Sequence, residues 1–459
     1  MIRIFNHYIN ANVVAQMVAD FVFVLLAMIG FGAVYLQSPT LVSTTAPHSL
    51  SLATWTFVVG SATGIYQGSP RRSMQQSVTR ALVASVLMLP LAYGIFSLIP
   101  ADVANSAVMG YAAMGTVAAV IAHRALGGHF GKLTVMHSRV LVLGTGPVAK
   151  QVSESLMASD PHAEVIGFVP GPNERVHAVP AGQIVTSAES LAVTAARAGA
   201  DEVIVALSER RSGSMSLREL LDCKISGIRV SDISTHFEKR LGQIRLDYVN
   251  AGWLIFGDGF NQGFMRTAIK RVFDVACATV LLVLSAPLML LTALLIAVDS
   301  RGPIFYRQER VGLNGKPFNV VKLRSMRRDA EEDGNPRWAL ASDDRVTRVG
   351  RLIRRVRIDE LPQLYNVLKG EMSMVGPRPE RPYFVDALTK DVSYYAVRHS
   401  VKPGVTGWAQ VKYEYGATVE DAKQKLQYDL YYVKNHTLFL DMLIMFETVS
   451  VVLTGKGAR

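Results

Sequence analysis

The sequence predicts a membrane protein of mixed α and α/β class. Four transmembrane helices fill residues 1–125, a Rossmann-like α/β module occupies 138–250, and a mainly helical domain with a re-entrant membrane helix at 270–298 follows over 261–459. Three observations predict this. Apolar stretches crowd the first 125 residues, and a span needs about 20 mostly apolar residues. The strand-like run Arg139-Val140-Leu141-Val142-Leu143 leads directly into Gly144-Thr145-Gly146, the pattern of a β-strand turning into a helix. A further apolar run, 272–298, opens the last third.

Composition agrees with that class. Half of the 459 residues are apolar and the mean hydropathy is +0.24. A chain of this length exceeds one ordinary core, so two or three units are expected. The formal charge of +11 and the pI near 9.6 suit an anionic partner such as lipid head groups or nucleotide phosphates. No nucleic acid is expected, because a protein embedded in lipid rarely reads it. Cys223 and Cys277 are the only cysteines, which excludes a disulfide framework or a cysteine zinc site and suits a reducing compartment. The first apolar run is too long for a signal peptide and lacks a small-residue cleavage pattern.

The predicted spans are 13–35, 52–66, 78–99 and 103–123, the second of marginal length. Lysine and arginine are absent from 37–50 and 100–102. They gather instead at Arg3, at Arg71, Arg72 and Arg80, and at Arg124, Lys132 and Arg139. The positive-inside rule therefore places the N-terminus and everything after residue 124 in the cytoplasm. Asp20, inside the first span, is either functional or a paired structural carboxylate.

In the α/β module, strands at 164–169 and 201–207 join the first strand in a doubly wound sheet. Its glycine turn has the form that cradles a dinucleotide pyrophosphate. The second strand, however, ends in Val169-Pro170-Gly171-Pro172, where a ribose-binding carboxylate is wanted. A degenerate regulatory or oligomerising module is the competing reading.

The run 272–298 is framed by Lys270-Arg271 and Asp299-Ser300-Arg301. Ser285 and Pro287 near its middle predict a helix break: proline removes an i→i−4 hydrogen bond, and the serine hydroxyl is available to the freed carbonyl. Bases at both ends favour a hairpin that enters and leaves on one face. Beyond it the chain is dense in bases, including Arg307, Arg310, Lys316, Lys322, Arg324, Arg327 and Arg328. Arg351, Arg354 and Arg355 have the spacing of an interfacial amphipathic helix. The string 402–410 is a turn carrying Trp408 that either contacts a base or sugar or is a plain loop. The stretch 428–453 reads as an interfacial packing helix.

Within this region, Arg357-Ile358-Asp359-Glu360-Leu361-Pro362-Gln363-Leu364 sets two carboxylates ahead of a helix-opening proline, with Gly376-Pro377-Arg378-Pro379 beyond. Carboxylates and substrate phosphates are both stabilised at a helix N-terminus. Alone, the stretch also fits a surface acidic pair at a helix start. It is accompanied by Gly302-Pro303-Ile304-Phe305-Tyr306-Arg307-Gln308-Glu309-Arg310-Val311-Gly312, Lys322-Leu323-Arg324-Ser325-Met326 and Asp344-Arg345-Val346-Thr347-Arg348-Val349-Gly350. With these ordered strings, residues 261–459 resemble the bacterial sugar transferases, the polyprenyl-phosphate hexose-1-phosphate transferases. Four spans and a Rossmann-like module resemble the long form of that family, and Gly252-Trp253-Leu254-Ile255-Phe256 is similar to its exopolysaccharide-associated branch. Two departures stand out: Ala286 separates the usually adjacent Ser-Pro, and Leu323 replaces a common phenylalanine.

The resemblance implies that the last domain is catalytic and moves a hexose 1-phosphate from a UDP-sugar to undecaprenyl phosphate, releasing UMP. UDP-glucose or UDP-galactose is the favoured donor. It further implies Asp359 as nucleophile in a two-step route, Glu360 assisting in metal binding or proton handling, and Mg²⁺ held by Asp359 and Glu360. Lys322, Arg324, Arg378 and Arg310 are the implied substrate-binding residues. The implied setting is the cytoplasmic face of a bacterial inner membrane, among membrane lipids, with a homodimer plausible and exopolysaccharide or capsule assembly as the process. A nucleotide-binding sensor or dehydratase centred on 138–250, a non-enzymatic export scaffold and a lipid-independent hydrolase are the competing classes.

Overall fold

A computed structural model describes residues 2–4, 7–9, 11–36, 41–63, 65, 74–98, 106–130, 138–159, 163–171, 174, 177–186, 189–207, 217–248, 260, 263–327, 345–413, 416 and 418–454. Arg71, Arg72, Lys132, Arg328, Asp344 and the string 252–256 lie outside the described residues, as do the side chains of Arg3, Arg80 and Arg124. The chain forms two compact units, one of Met1–Gly128 with Gly257–Arg459 and the other of His129–Phe256.

The first unit begins with a short hairpin, β1 (Ile2–Ile4) and β2 (His7–Ile9). Four helices follow: α1 (Ala11–Leu36), α2 (Leu41–Ala62), α3 (Met74–Ser97) and α4 (Ser106–Phe130). Their shared core takes residues at three- and four-residue spacing, such as Val24 and Met28 of α1, Ala84, Met88, Ala92 and Phe96 of α3, and Met109, Ala113 and Val117 of α4. Asp20 is buried and has a partner. Helix α2 starts 11 residues before the predicted 52–66 (41 against 52). Its Ser/Thr-rich, Pro47-containing first half reads as a loop, yet the hydroxyls bond back along the helix. Ser49 Oγ donates to the Thr45 carbonyl (2.9 Å) and Thr56 Oγ1 to that of Leu52 (2.8 Å). Among the described residues, Val14–Val34, Ser106–His123 and Phe264–Asp299 are long and apolar enough to cross a membrane; Ala81–Ser97 is a shorter apolar stretch.

The second unit holds β3 (Ser138–Leu143), α5 (Pro147–Ser159), β4 (Ala163–Val169), α6 (Leu191–Arg197), β5 (Glu202–Val205), α7 (Leu217–Ile225), β6 (Arg229–Asp232) and α8 (Ile233–Leu241). The four strands form one parallel sheet in the order β4-β3-β5-β6. Strand alternation builds both faces. Val140, Val142 and Ile204 pack with Val152, Leu156 and Phe237 on one side, while Leu141, Leu143 and Val203 pack with Leu191, Ala195 and Cys223 on the other. The glycine turn after β3 is occupied by the chain itself. Glu174 Oε2 accepts the Thr145 N–H at 2.6 Å, the Thr145 hydroxyl at 3.0 Å and the Gly171 N–H at 3.3 Å. The carboxylate wanted at the end of β4 thus exists as Glu174, but it fills the cradle.

The remainder of the first unit starts with α9 (Phe264–Asp299), a 36-residue helix of about 54 Å. The predicted break does not interrupt it. Helical bonding continues past Pro287, because one proline removes one N–H while the ladder on either side persists. The Ser285 hydroxyl reaches the Leu282 carbonyl at 3.4 Å and not that of Val283, which lies four residues before the proline. Most of its middle exposes apolar side chains, among them Val280, Val283, Leu284, Leu288 and Leu290, while Leu282 and Met289 are half-buried. Near the N-terminal end, Lys270 Nζ meets Asp441 at 2.6 Å, Arg271 donates to the Val367 and Leu368 carbonyls (2.6 and 2.7 Å), and Asp274 accepts from Ser373 Oγ and Met374 N (both 3.1 Å). At the other end, Ile296 packs with Leu323 and Ile353, and Asp299 accepts from Val349 N at 3.2 Å.

A hairpin absent from the sequence reading follows, β7 (Phe305–Val311) and β8 (Pro317–Leu323), paired antiparallel. Next come α10 (Arg348–Arg355), a 3₁₀ turn at Ile358–Glu360, α11 (Gln363–Lys369), β9 (Ser373–Val375), α12 (Pro382–Asp391), β10 (Gly404–Thr406), α13 (Trp408–Lys412), α14 (Val419–Asn435) and α15 (Leu438–Thr454). Strands β9 and β10 pair in parallel, and α15 packs on α2.

Candidate active site

The site forms where α10 gives way to α11. Arg357 adopts left-handed φ 56°, ψ 24°, a conformation that a non-glycine residue rarely takes. This reverses the chain after α10 and starts the 3₁₀ turn that presents Asp359 and Glu360 ahead of Pro362 and α11. Buried Asn366 pins α11 to β8: its Nδ2 donates to the Asn319 carbonyl (2.7 Å), and its Oδ1 accepts the Val321 N–H (3.1 Å). That register sets Lys322 opposite Glu360. The loop after β9 is held as tightly, since Gly376 N donates to the Thr406 carbonyl (2.9 Å) and Gly404 N to that of Pro377 (3.0 Å). A Cβ on Gly376 would strike the Lys402 carbonyl, so only glycine permits this approach.

Two cations converge on one oxygen. Lys322 Nζ lies 2.9 Å and Arg378 Nη2 2.8 Å from Glu360 Oε1, with Arg357 Nη1 at 3.7 Å from Oε2. Arg378 also donates to Gln410 Oε1 at 3.1 Å, and its carbonyl accepts from Arg398, itself paired with buried Asp429 at 2.8 Å. Burial alone would raise the Glu360 pKa, but Arg378 and Lys322 outweigh it and hold the carboxyl well below the usual range. Asp359 behaves oppositely. It is 8% exposed and has no hydrogen-bond partner among the described residues. Burial and the Glu360 charge push its pKa up to about 6, against the pull of Lys322, Arg354 and Arg378. Burial also lowers the Lys322 pKa.

The structure thus brings Asp359, Glu360, Lys322 and Arg378 together. Arg310 stands beside them: it donates to Gln308 and to the Pro379 carbonyl (3.0 Å) and pairs with Glu380 at 3.5 Å, bracing the loop that carries Arg378. Arg324 is not brought to Glu360. Its guanidinium donates to the Ser300 carbonyl (2.6 Å) and the Arg301 carbonyl (3.1 Å), closing the C-terminus of α9. The sequence reading placed Arg354 at an interface, yet Arg354 turns inward, bonds Ser325 Oγ at 2.9 Å and acts on Asp359. The available signal was its four-residue spacing from Gly350, which shares the buried side of α10. Gln410 sat inside a quoted string without a role.

Two adjacent carboxylates with different ionisation suit Mg²⁺ only in company. Glu360 is already engaged by cations, Asp359 is free, and no group of three metal-ligating side chains occurs among the described residues. Mg²⁺ commonly takes one or two carboxylates plus substrate phosphates, and this donor set fits that pattern.

Comparison with known proteins identifies the region that carries these residues. The family model for bacterial sugar transferases matches residues 265–455. The chain is 43% identical over 242 residues, 53% of its length, to UDP-N-acetylgalactosamine-undecaprenyl-phosphate N-acetylgalactosaminephosphotransferase of Aeromonas hydrophila, covering 56% of that protein. It is 44% identical over 194 residues, 41% of its length, to undecaprenyl-phosphate glucose phosphotransferase of Komagataeibacter xylinus, covering 36% of it. The chain therefore spans about half, or less, of these two curated relatives. It is 46% identical over 192 residues, 41% of its length, to UDP-glucose:undecaprenyl-phosphate glucose-1-phosphate transferase of Caulobacter vibrioides, covering 71% of it. On this likeness, the chain belongs to the bacterial sugar transferase family.

Proposed function

We propose that the protein transfers a hexose 1-phosphate from a UDP-sugar to undecaprenyl phosphate through a covalent intermediate on Asp359. The observation that carries this reading is Asp359 itself: a buried carboxylate free of hydrogen bonds, beside a second carboxylate that the cations hold ionised. In the first step an Asp359 oxygen attacks the phosphorus bearing the sugar; the bond to UMP breaks, and UMP leaves with its electron pair. In the second, the lipid phosphate attacks the same phosphorus, breaks the Asp359–phosphorus bond and frees the carboxylate. Two steps let one site serve two unlike substrates. Neither nucleophile needs a general base, since the Asp359 carboxyl titrates near 6 and a phosphate monoester loses its second proton at about the same pH.

Lys322 and Arg378 meet the charge that develops on the transferred phosphoryl group, and Glu360 keeps them aimed. Arg378 grips two oxygens at once where Lys322 supplies a point charge. Asp359 and Glu360, together with diphosphate oxygens, would hold Mg²⁺, which would neutralise charge on the leaving UMP.

The re-entrant reading of α9 is supported by its anchors. The two ends bond to Val367 and Val349 and pack on Leu323, and these segments are tied to each other by Val321 and Asn366. Anchors linked in this way require α9 to bend, and Pro287, which removes one helical hydrogen bond without ending the helix, is the position that favours a bend; a straight crossing of about 30 Å of hydrocarbon would part them. Both ends then lie on the cytoplasmic face of the bacterial inner membrane, where nucleotide sugars are found and the lipid phosphate emerges, and the product enters exopolysaccharide or capsule assembly. UDP-glucose and UDP-galactose remain the favoured donors. The relatives' names carry both glucose and N-acetylgalactosamine, so the test spans all three. UMP release by the nanodisc-embedded protein, with Mg²⁺ and undecaprenyl phosphate, should turn over for one donor and vanish in Asp359→Asn. Absence of release from every UDP-sugar would refute the assignment.

A further inference from the structure

We propose that helix α10 is a docking surface for anionic phospholipid, seated on the membrane by its outer face while its inner face serves the active site. The proposal rests on the membrane reading above and adds a lipid specificity to it. The inner face is committed: Ile353 packs on Ile296 and Leu323, Gly350 lies against the Ser325 backbone, and Arg354 donates to Ser325 Oγ. The opposite face presents Arg348, Arg351, Leu352, Arg355 and Val356, all exposed, at the three- and four-residue spacing of one helical stripe.

Two properties of that stripe select its occupant. First, no carboxylate pairs with Arg348, Arg351 or Arg355 among the described residues, so three positive charges stand uncompensated. Second, aliphatic side chains sit between them, Leu352 at 60% and Val356 at 42% exposure. A helix facing only water gains nothing from those two residues. A phospholipid surface satisfies both properties at once, acyl chains taking Leu352 and Val356 and phosphates taking the guanidinium groups. An acidic protein partner would match the charges but offer nothing to the exposed Leu352 and Val356 between them. Each arginine near an anionic leaflet favours docking by about fivefold, so three make a substantial bias.

A spin label at Leu352→Cys, in full-length protein carrying Cys223→Ser and Cys277→Ser, reads the outcome in nanodiscs of phosphatidylcholine with and without phosphatidylglycerol. Collision with lipid-soluble oxygen should exceed collision with an aqueous nickel chelate, and the excess should grow at least several-fold with phosphatidylglycerol. The triple change Arg348→Gln, Arg351→Gln, Arg355→Gln should abolish that growth, and the corresponding triple change to lysine should restore most of it. A label that remains water-exposed in both lipids would overturn the proposal, and a lipid-exposed label indifferent to phosphatidylglycerol would overturn its anionic specificity. This readout needs no sugar transfer, so failure of the transferase reading leaves it interpretable.

Discussion

Two regions of the molecule gather groups that attract anions, and each has a glutamate of its own in place. In the α/β unit, Glu174 accepts the Thr145 N–H, its hydroxyl and the Gly171 N–H. In the region matched by the sugar transferase family, Glu360 accepts from Lys322 and Arg378 and faces Arg357. The chemistry on the attracting side separates them. The neutral donors around Thr145 are satisfied by one carboxylate, and these contacts add no cation among the described residues. Three full cations against one carboxylate leave net positive charge, which a diphosphate can answer. A glycine-rich turn can therefore have its own chain as occupant, whereas an excess of cations beside a carboxylate free of hydrogen bonds suits an anionic ligand.

The largest effect expected from breaking this contrast is at Asp359. Asp359→Asn should lower UMP release by about 10³-fold or more in a steady-state assay. The same variant should melt higher at pH 7. The folded-state pKa near 6 exceeds the reference 3.8, so protonation of Asp359 stabilises the fold at low pH and that contribution is lost as pH rises through about 6. An unchanged or lower Tm would show that Asp359 carries no such burden.

Next in size is the cation pair. Arg378→Lys retains charge but loses the two-pronged grip, and a fall of about 10² in kcat/KM is expected. An equal loss in Arg324→Lys would contradict the assignment of Arg324 to the end of α9. The pH profile should show a smaller, graded effect: with an ionised nucleophile titrating near 6, turnover falls about tenfold per unit well below pH 6 and is flat above pH 7. A profile flat to pH 5 would argue against Asp359 as the attacking group.

The smallest effect concerns the filled turn. Glu174→Ala leaves the Thr145 N–H unpaired and should cost the α/β unit about 1–3 kcal/mol, seen in denaturant unfolding, with turnover unchanged. NAD should leave the wild-type melting temperature where it is. A clear rise would reinstate the dinucleotide reading.

How far the sequence disclosed these features depends on the range of the interactions involved. Asp359, Glu360, Lys322 and Arg378 were legible because their chemistry resides in short ordered strings. The inward turn of Arg354 was not, since an eight-residue helix rich in arginine looks the same whichever face meets the protein. The partners of Arg324 are hidden for a related reason: they are main-chain carbonyls at Ser300 and Arg301, which no side-chain pattern announces. The early start of α2 escaped notice because serine and threonine resemble loop residues until their hydroxyls bond within a helix. Glu174 acts on Thr145 from 29 residues away, and only the folded loop reveals it.

The most direct test of the central claim is a single-turnover experiment without lipid acceptor. Protein in nanodiscs is mixed with excess UDP-sugar and Mg²⁺, and UMP is counted against protein while the Asp359 peptide is weighed by mass spectrometry. A covalent route through Asp359 predicts a burst of about one UMP per chain, a sugar-phosphate mass on that peptide, and loss of both on adding undecaprenyl phosphate or in Asp359→Asn. Release of UMP only when the lipid is present, with no adduct at any time, would contradict it and place the transfer in a single direct step.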